Sequence, residues 1–593
     1  MTKNPILGIA VIYIGLAALC LFIPWMIPVP AVRSESYALG FSNIGFLACL
    51  FLLLIGPFYL HLRFSHEIPW SPHPAAQDDQ KADYAITAKW MRNLSGAGFA
   101  VCAIFLLVNF RSLVGFGEAE YFLMRSALLE SGKIPYADFQ YAYGPLLIYD
   151  IFYLKKMGFS SGFSEALLVI LESVIGYLSA YFVTITLFGE ARPAARMVFW
   201  TLCLSTCLAD LMGGQNYTFL RFTAVSALGC YVLSKRDTER NETYGLLSGP
   251  LFLLGWVISP EVGIVVSLAF GSTIAMISKR IWIGFIAVVL SLTATVYFVP
   301  LIGDSLSVIL QFSKGGYNFP AFPSFHILLL LFSVLLSTAY VARRSAKEDP
   351  IGWFIYLCSI GLLPGALGRC DPGHVSFYAF GFFLLAGRFL VEYQGAHRFL
   401  LRYCQIYGAG YFVIWLVGLA FIDGHGVAAA TAKSFFLALP DAYRDGLIER
   451  IPAPYHDKAM HLLSPNLGDE QLDDLISPDT YFIEPSSAII GTGQVNIPYF
   501  VTLHNASTAE TFKNLSDEIR GKTLVVPYGF VAGLCRPWKT DYKLLSELFL
   551  FPAHAFKQRN HPEIVTDDFC ALLKNAEIVS EGVPGGYSKL AIH

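Results

Sequence analysis

Apolar residues form long blocks, separated by short polar stretches, over the first 422 residues of the chain. Most blocks have about 17–25 residues, the length of a helix that crosses the hydrocarbon core of a bilayer. The pattern therefore predicts a polytopic α-helical membrane protein with about 13 spans. The predicted spans are 5–28, 37–62, 93–114, 164–188, 195–211, 217–234, 245–258, 262–278, 281–302, 323–342, 351–367, 375–391 and 405–422.

Basic residues cluster in alternate loops between the predicted spans, for example at Lys235-Arg236 and Arg343-Arg344. Because cytoplasmic loops carry an excess of Lys and Arg, this alternation places the N-terminus in the cytoplasm. Segment 146–157 is too short to cross alone, and the alternation holds only if it is a re-entrant or surface helix. The predicted external segments are the loops 29–36, 115–163, 212–216, 259–261, 303–322 and 368–374 and the tail from about residue 423.

The composition changes near Asp423, where the apolar blocks end and charged residues, Pro and Asn become more frequent. We interpret residues 1–422 as a transmembrane catalytic domain and 423–593 as a soluble external domain, a capping or acceptor-docking unit of ordinary size. Alternating strands and helices predict a small α/β fold there. Cys535 and Cys570 lie in this polar region and are candidates for a disulfide. The predicted elements are strands near 480–483, 499–503, 523–527 and 587–592, and helices near 509–520, 541–550 and 566–575.

The overall composition excludes a soluble protein, because 55% of the residues are hydrophobic and only 14% are charged. A net charge of −3 and the absence of a basic stripe give no indication of nucleic-acid binding. The 11 cysteines show no CxxC pair and no His/Cys spacing typical of a metal site. A divalent cation such as Mg²⁺ or Mn²⁺ stays an open possibility, with Asp371 and the glutamates of the first external loop as candidate ligands.

The first large external loop carries two glutamates one residue apart, Glu118 and Glu120, followed by the aromatic residue Tyr121. Further along, Tyr136 and Asp138 stand in a Pro-Tyr-Ala-Asp-Phe stretch. A carboxylate at the boundary between water and lipid can act as a general base towards a hydroxyl acceptor. The alternative is that these acids only solvate the loop and cap a surface helix.

A second polar constellation lies between two predicted spans, where Arg369, Asp371 and His374 occur within six residues. The guanidinium of an arginine is suited to phosphate oxygens, the Asp could hold the arginine or a metal, and the His could donate to a leaving phosphate. A polar hairpin turn with a local ion pair is the alternative. Arg221, near the outer end of one predicted span, and Glu261, at the turn between two others, are weaker candidates for substrate binding, with anchoring of a helix end as the alternative.

With these residues in view, the chain resembles the GT-C superfamily of membrane glycosyltransferases, which use polyprenyl-phosphate sugars and include protein O-mannosyltransferases and the aminoarabinose transferase of lipid A. The resemblance rests on the motifs at 118–121, 132–139 and 143–145 and on the later turn at 369–374. This chain differs in having Glu118 where the family has a leading Asp, and in having two spans before the one that leads into the acidic loop.

The resemblance implies inverting transfer of a sugar from a polyprenyl-phosphate donor to a hydroxyl of a glycan, lipid or protein acceptor. Either Glu118 or Glu120 would deprotonate the acceptor. Arg369, with or without Arg221, would hold the phosphate, and Asp138 would shape the sugar pocket. A bacterial inner membrane is the expected location, with the C-terminal domain in the periplasm.

Two other functions were compatible with the pattern. A transporter or flippase for lipid-linked glycans would favour charges deep in the membrane, such as Glu172 in the middle of a predicted span. An O-antigen ligase or polymerase would also use lipid-linked sugars, but is expected to have a large late loop rather than a soluble tail of this size.

Overall fold

A computed structural model describes most of the helical part of the chain and a smaller share of the C-terminal part. The described residues are 5–29, 36, 40–52, 78–111, 118–209, 213–236, 241–313, 320–321, 323–392, 397–422, 424–440, 443, 446–447, 450, 452, 480–483, 490, 496–499, 509–527, 531, 567–583 and 587–592.

The described part of the chain up to residue 440 is almost entirely helical. Its helices are α1 (Pro5–Phe22), α2 (Asn43–Leu52), α3 (Asp78–Val108), α4 (Ala119–Glu130), α5 (Leu146–Lys156), α6 (Ser161–Phe188), α7 (Arg192–Thr206), α8 (Phe219–Lys235), α9 (Asn241–Tyr244), α10 (Ser248–Ile258), α11 (Pro260–Ile277), α12 (Ile281–Phe298), α13 (Leu301–Ser313), α14 (Phe325–Val341), α15 (Pro350–Arg369), α16 (Pro372–Tyr378), α17 (Phe380–Glu392), α18 (His397–Val417) and α19 (Gly424–Ala438).

Six of these helices, α3, α6, α11, α12, α15 and α18, are long and apolar enough to cross a membrane. The pair α16 and α17, bent by 61°, gives a seventh if it forms one broken span. The prediction of a multi-pass membrane protein is confirmed. Of the roughly 13 predicted spans, six or seven correspond to helices of spanning length among the described residues. Several predicted spans form helices too short to cross alone, such as α10 with 11 residues.

Large apolar side chains cover the outside of the bundle, as expected for a surface in contact with lipid. On α12, for example, Trp282, Phe285 and Leu290 are more than half exposed. The most extensive helix packing in the described part of the chain occurs between α6 and α8, between α3 and α7 and between α10 and α11. The pair α6 and α8 carries two of the polar side chains described below, Glu172 and Arg221.

The predicted short segment at 146–157 forms α5, which packs against α4. An ion pair of 2.7 Å between Lys155 Nζ and Glu130 Oε1 joins the C-terminal ends of the two helices. Gly144 lies in the loop just before α5, and a Cβ added there would lie 2.3 Å from the backbone carbonyl carbon of Ile258. A larger residue would therefore push the loop away from the end of α10.

The C-terminal region contains a four-stranded mixed sheet in the order β1-β2-β4-β3. Its strands are β1 (Thr480–Phe482), β2 (Thr523–Pro527), β3 (Glu577–Val583) and β4 (Tyr587–Ala591), and its helices are α20 (Ala509–Ile519) and α21 (Asp567–Lys574). The pair β1–β2 is parallel and the other two pairs are antiparallel. Phe512 and Phe569 pack between the two helices at 5.3 Å.

The strand and helix pattern predicted for this region is confirmed at five of seven elements, and β3 was missed. Its sequence, Glu-Ile-Val-Ser-Glu-Gly-Val, carries two glutamates and a glycine, which are depleted in strands, so it gives a weak strand signal. The predicted helix at 541–550 and most of the strand at 499–503 lie outside the described residues. Cys570 is in a disulfide, whereas Cys535 lies outside the described residues, so the proposed pairing stays a prediction.

Candidate functional site

A single turn of 3-10 helix, Gly214–Tyr217, lies between α7 and α8 and provides three consecutive polar side chains. Gln215, Asn216 and Tyr217 each contact a different group of functional candidates. The loop 212–216 was predicted to lie among the external loops, but none of these three side chains was predicted to belong to the site. We call Gln215–Tyr217 the polar turn.

Glu118 lies at the N-cap of α4 and is half-buried. Its Oε2 accepts a hydrogen bond of 2.8 Å from Asn216 Nδ2. The same nitrogen donates to the Tyr143 hydroxyl at 2.9 Å. Burial raises the pKa of Tyr143 well above its usual value, and the nearby Glu118 raises it further. Tyr143 therefore stays neutral beside the carboxylate.

Arg221, on the first turn of α8, is the centre of the polar network and is only 4% exposed. Its Nη2 contacts Glu261 Oε1 in a close ion pair and donates to the Tyr378 hydroxyl at 2.7 Å. Its Nε donates to Ser259 Oγ at 3.0 Å. The Nη1 group donates to both oxygens of Asn216, the backbone carbonyl at 3.1 Å and the side-chain Oδ1 at close range.

These contacts occupy all five N–H donors of the guanidinium. Arg221 could therefore bind a donor phosphate only by giving up a bond to the protein. Its side chain instead fixes Asn216, which in turn holds Glu118. The predicted partnership of Arg221 with the phosphate stays open, but its geometry favours a supporting role.

Glu120 lies one residue inside α4 and is half-buried. It interacts electrostatically with Lys433 on α19, whose pKa is lowered by burial and raised less strongly by Glu120. The segment after residue 423 therefore reaches the start of the acidic loop. The two glutamates have different neighbours, because Glu118 contacts an amide and Glu120 lies near an ammonium group.

The predicted constellation after α15 forms a sharp turn between helices. Cys370 adopts a left-handed conformation with φ of 53°, and Asp371 caps α16 by accepting from the His374 backbone N–H at 2.8 Å. The other oxygen of Asp371 lies 2.9 Å from His374 Nδ1. The side chain of Arg369 is outside the described residues, so its predicted contact with phosphate or Asp371 is a proposal.

Tyr217 joins this turn to the polar turn, since its hydroxyl lies 2.9 Å from His374 Nδ1. The ring of Tyr217 passes close to Gly373, where an added Cβ would lie 2.8 Å from a ring carbon. His374 also stacks on Tyr378, with ring planes 8° apart and centroids at 5.8 Å. The structure thus brings Glu118, Arg221 and His374 into one connected network.

Tyr121 and Tyr136 belong to the aromatic wall of the loop. The guanidinium carbon of Arg125 lies 3.4 Å above the Tyr121 ring, a cation–π contact. Tyr136 donates to the Tyr143 backbone carbonyl at 2.5 Å and has a positive φ of 68°. Asp138 is exposed, and its Oδ2 accepts from the Ile134 N–H at 2.8 Å. This contact closes the tip of the loop.

A second acidic group lies on the other side of the polar turn and was not predicted. Gln215 Nε2 donates to Glu172 Oε1 at 3.1 Å and contacts Asp150 Oδ2 at 3.4 Å. Thr218 Oγ1 donates to Glu172 Oε2 at 3.1 Å. Burial raises the pKa of Asp150 to about 7. Glu165 completes this buried acidic cluster and is 2% exposed.

The sequence contained a usable signal for part of this cluster. Glu165 and Glu172 are seven residues apart, so they lie on one face of α6, two turns apart. Only Glu172 was noted, without a partner, and the structure now provides Gln215 and Thr218. Among the residues that the structure describes, no group of three or more His, Cys, Asp or Glu side chains is arranged to hold a metal ion.

The C-terminal region contacts the acidic loop directly. The Tyr499 hydroxyl donates to the Tyr136 carbonyl at 3.1 Å, and the Gln140 N–H donates to the Tyr499 carbonyl at 2.9 Å. Ile490 and Ile497 pack into the same apolar cluster as Tyr136. The loop is therefore held from both sides, by α4 and α5 and by the segment 496–499.

No protein-family model matches this chain, and no curated protein matches it. Among solved structures it is similar to ArnT from Cupriavidus metallidurans bound to undecaprenyl phosphate, with a TM-score of 0.41, 12% identity and coverage of 84% of this chain and 97% of that one. ArnT in the apo state gives a TM-score of 0.37, 13% identity and coverage of 75% and 96%. ArnT is a GT-C glycosyltransferase, the group that the sequence resembles. At these TM-scores the similarity supports no inference about substrate or site residues.

Proposed function

We propose that this protein is an inverting glycosyltransferase that moves a sugar from a polyprenyl-phosphate donor to a hydroxyl acceptor at the outer face of the membrane. The acceptor is a glycan, lipid or protein. Glu118 acts as the general base. The single observation that carries this proposal is the hydrogen bond of 2.8 Å from Asn216 to the Glu118 carboxylate, within a network anchored by a buried ion pair.

A general base must be ionised, aimed at one place and accessible to the acceptor. Glu118 is half-buried, so it stays partly accessible, and Asn216 donates to one of its oxygens, which directs the group. Close behind it, the charges of Arg221 and Glu261 compensate each other. Asn216, held by Arg221, therefore fixes the position of the Glu118 carboxylate.

The phosphate side of the reaction fits the turn after α15. Asp371 lies against His374 Nδ1 at 2.9 Å, so the ring is oriented with its Nε2 as the other polar edge. The Nε2 edge of His374 is proposed to contact a phosphate oxygen, and the guanidinium of Arg369 to add a planar pair of donors. Tyr121, Tyr136 and Asp138 are proposed to bound the sugar and acceptor region, and Glu261 to act through Arg221.

The proposal is tested on the full protein in nanodiscs with a panel of short-chain polyprenyl-phosphate sugars. Released polyprenyl phosphate is measured by mass spectrometry. We expect release with one donor from the wild type and from Glu130→Gln, and loss of release in Glu118→Gln. Glu130 is a matched control because it lies at the opposite end of α4, paired with Lys155. Binding without release from any donor or acceptor mixture would count against a transferase.

A flippase for lipid-linked sugars is the second candidate, and the buried acidic cluster favours it. Glu165 and Glu172 are 2% and 4% exposed within α6, where carboxyl groups are costly unless they are used. Proteoliposomes with a fluorescent polyprenyl-linked sugar distinguish the two functions. Translocation that depends on Glu172 but not on Glu118, without chemical turnover, would replace the glycosyltransferase proposal with transport.

A further inference from the structure

We propose that Asn216 is the positioning residue of the base, because it fixes the direction of the Glu118 carboxylate through an amide whose own orientation is set by Arg221. This inference rests on the proposed function. It adds a residue that neither the spacing of the sequence motifs nor the acidic loop itself indicates. Asn216 acts through Glu118 and is not proposed to touch the substrate.

The orientation of the Asn216 amide follows from the chemistry of its neighbours. An arginine only donates hydrogen bonds, so the atom of the amide that faces Arg221 must be the oxygen. The amide nitrogen then points the other way, towards Glu118 Oε2 and the Tyr143 hydroxyl. A flipped amide would place two donors against Arg221 and an oxygen against the carboxylate.

The backbone of the polar turn removes the remaining freedom of Asn216. Arg221 also binds the backbone carbonyl of Asn216 at 3.1 Å. On either side, Gln215 is bound to Glu172 and Tyr217 to His374. Asn216 is 1% exposed, so its amide is shielded from bulk solvent. Because the Asn216 amide is already fixed, it directs the Glu118 carboxylate without having to be ordered during the reaction.

Loss of this donor should lower turnover rather than donor binding. A hydrogen bond to a charged group corresponds to about a 10- to 100-fold change in an equilibrium or rate. We therefore expect Asn216→Leu to lower kcat by about this factor, with little change in KM for the polyprenyl-phosphate donor. Leu has the same number and branching of side-chain heavy atoms as Asn but cannot donate.

A sharper variant is Asn216→Asp, which keeps the shape and keeps an acceptor towards Arg221. At high pH the introduced carboxylate lacks the donor and repels Glu118, whereas its protonated form has an O–H that can donate to Glu118. The activity of Asn216→Asp relative to the wild type should therefore rise as the pH falls. The titratable and charged groups that contact this position directly are Glu118, Tyr143 and Arg221. Tyr217 follows it in the polar turn, and Glu261 and Tyr378 contact Arg221.

The experiment measures kcat and KM of polyprenyl-phosphate release between about pH 5.5 and 8.5, a range that covers titration of a buried carboxyl. We expect the ratio of kcat in Asn216→Asp to kcat in the wild type to rise at least about 10-fold towards low pH, and the ratio for Asn216→Leu to stay flat. Asn109→Asp is the matched control, because Asn109 is 2% exposed and donates to the Phe105 carbonyl instead. Its ratio should not depend on pH in this way.

Each outcome decides between the alternatives. A flat ratio for Asn216→Asp in a folded, donor-binding protein overturns the positioning role while leaving the glycosyltransferase proposal intact. A rise shared by Asn109→Asp assigns the effect to buried charge in general and also overturns it. Absence of release from the wild type with every donor overturns the proposed function and, with it, this inference. If Asn216→Asp does not fold, a fall in kcat at constant KM in Asn216→Leu supports the role, and a fall in donor binding alone contradicts it.

Discussion

Replacing Arg221 alone should destabilise the folded protein more than replacing both Arg221 and its ion-pair partner Glu261. In Arg221→Met, the long apolar side chain fills much of the space but none of the five N–H donors remains. Glu261 then keeps the hydrogen bond of 3.1 Å from the Tyr378 hydroxyl. It loses the positive charge of Arg221 that compensates its carboxylate at Oε1. The carbonyl and side-chain oxygen of Asn216 lose their donor at the same time.

The size of the effect follows from burial. Breaking a buried ion pair by removing one partner costs about 3–5 kcal/mol, because an uncompensated charge stays in a medium of low polarity. Glu261 is 27% exposed, so partial solvation favours the lower end, about 3 kcal/mol. Replacing both partners with apolar residues removes the stranded charge. The double variant Arg221→Met/Glu261→Leu should therefore be about 1–3 kcal/mol more stable than Arg221→Met alone.

The assay is reversible unfolding of the purified protein in mixed micelles, followed by tryptophan fluorescence, for the wild type, both single variants and the double variant. The matched control is Arg344→Met, which breaks a half-exposed pair with Glu392 and should cost about 1 kcal/mol or less. The charge argument is wrong if Arg221→Met lowers the free energy of unfolding by no more than Arg344→Met does. It is also wrong if the double variant loses more of this free energy than the two single variants lose together.

Two further predictions concern the acidic cluster and the C-terminal contact. Because burial raises the pKa of Asp150 from 3.8 to about 7, the wild type loses stability as the pH rises from about 4 to 7. Asp150→Asn should thus gain thermal stability above pH 7 and none below about pH 4, and a gain independent of pH would contradict this cause. Tyr499→Phe removes one hydrogen bond to the Tyr136 carbonyl, so amide exchange around 134–140 should be faster by about 5-fold, as for a loss of about 1 kcal/mol. Unchanged exchange would mean that the contact does not hold the loop.

The membrane bundle was predictable because its signal is physical and repetitive. Apolar blocks of spanning length identify helices such as α6 and α15 without any tertiary information. The number of spans was less predictable. A helix such as α10 is apolar but too short to cross the membrane, and hydropathy does not separate a full span from a buried half-span. The strands β1, β2 and β4 of the C-terminal sheet were found, whereas β3, which contains two glutamates and a glycine, was missed.

The site was predictable only where several functional residues lie close together in sequence. The acidic loop and the turn at Asp371 and His374 gave such clusters. Asn216 did not, because one amide in a short loop has no spacing or composition signal. Its importance arises from Arg221, five residues later, and from Glu118, which is 98 residues away in the chain. Contacts of this range depend on how the helices pack, which the sequence pattern does not specify.

The measurement that tests the central claim most directly compares Glu118→Gln with Glu120→Gln under single-turnover conditions in nanodiscs, with the active polyprenyl-phosphate sugar and its acceptor. A general base contributes about 10²- to 10⁴-fold to the rate. We predict a loss of that size in Glu118→Gln, a smaller loss in Glu120→Gln, whose neighbour is Lys433, and no loss in Glu130→Gln. A Glu118→Gln protein that binds the donor and transfers sugar at nearly the wild-type rate would contradict the assignment of Glu118 as the base.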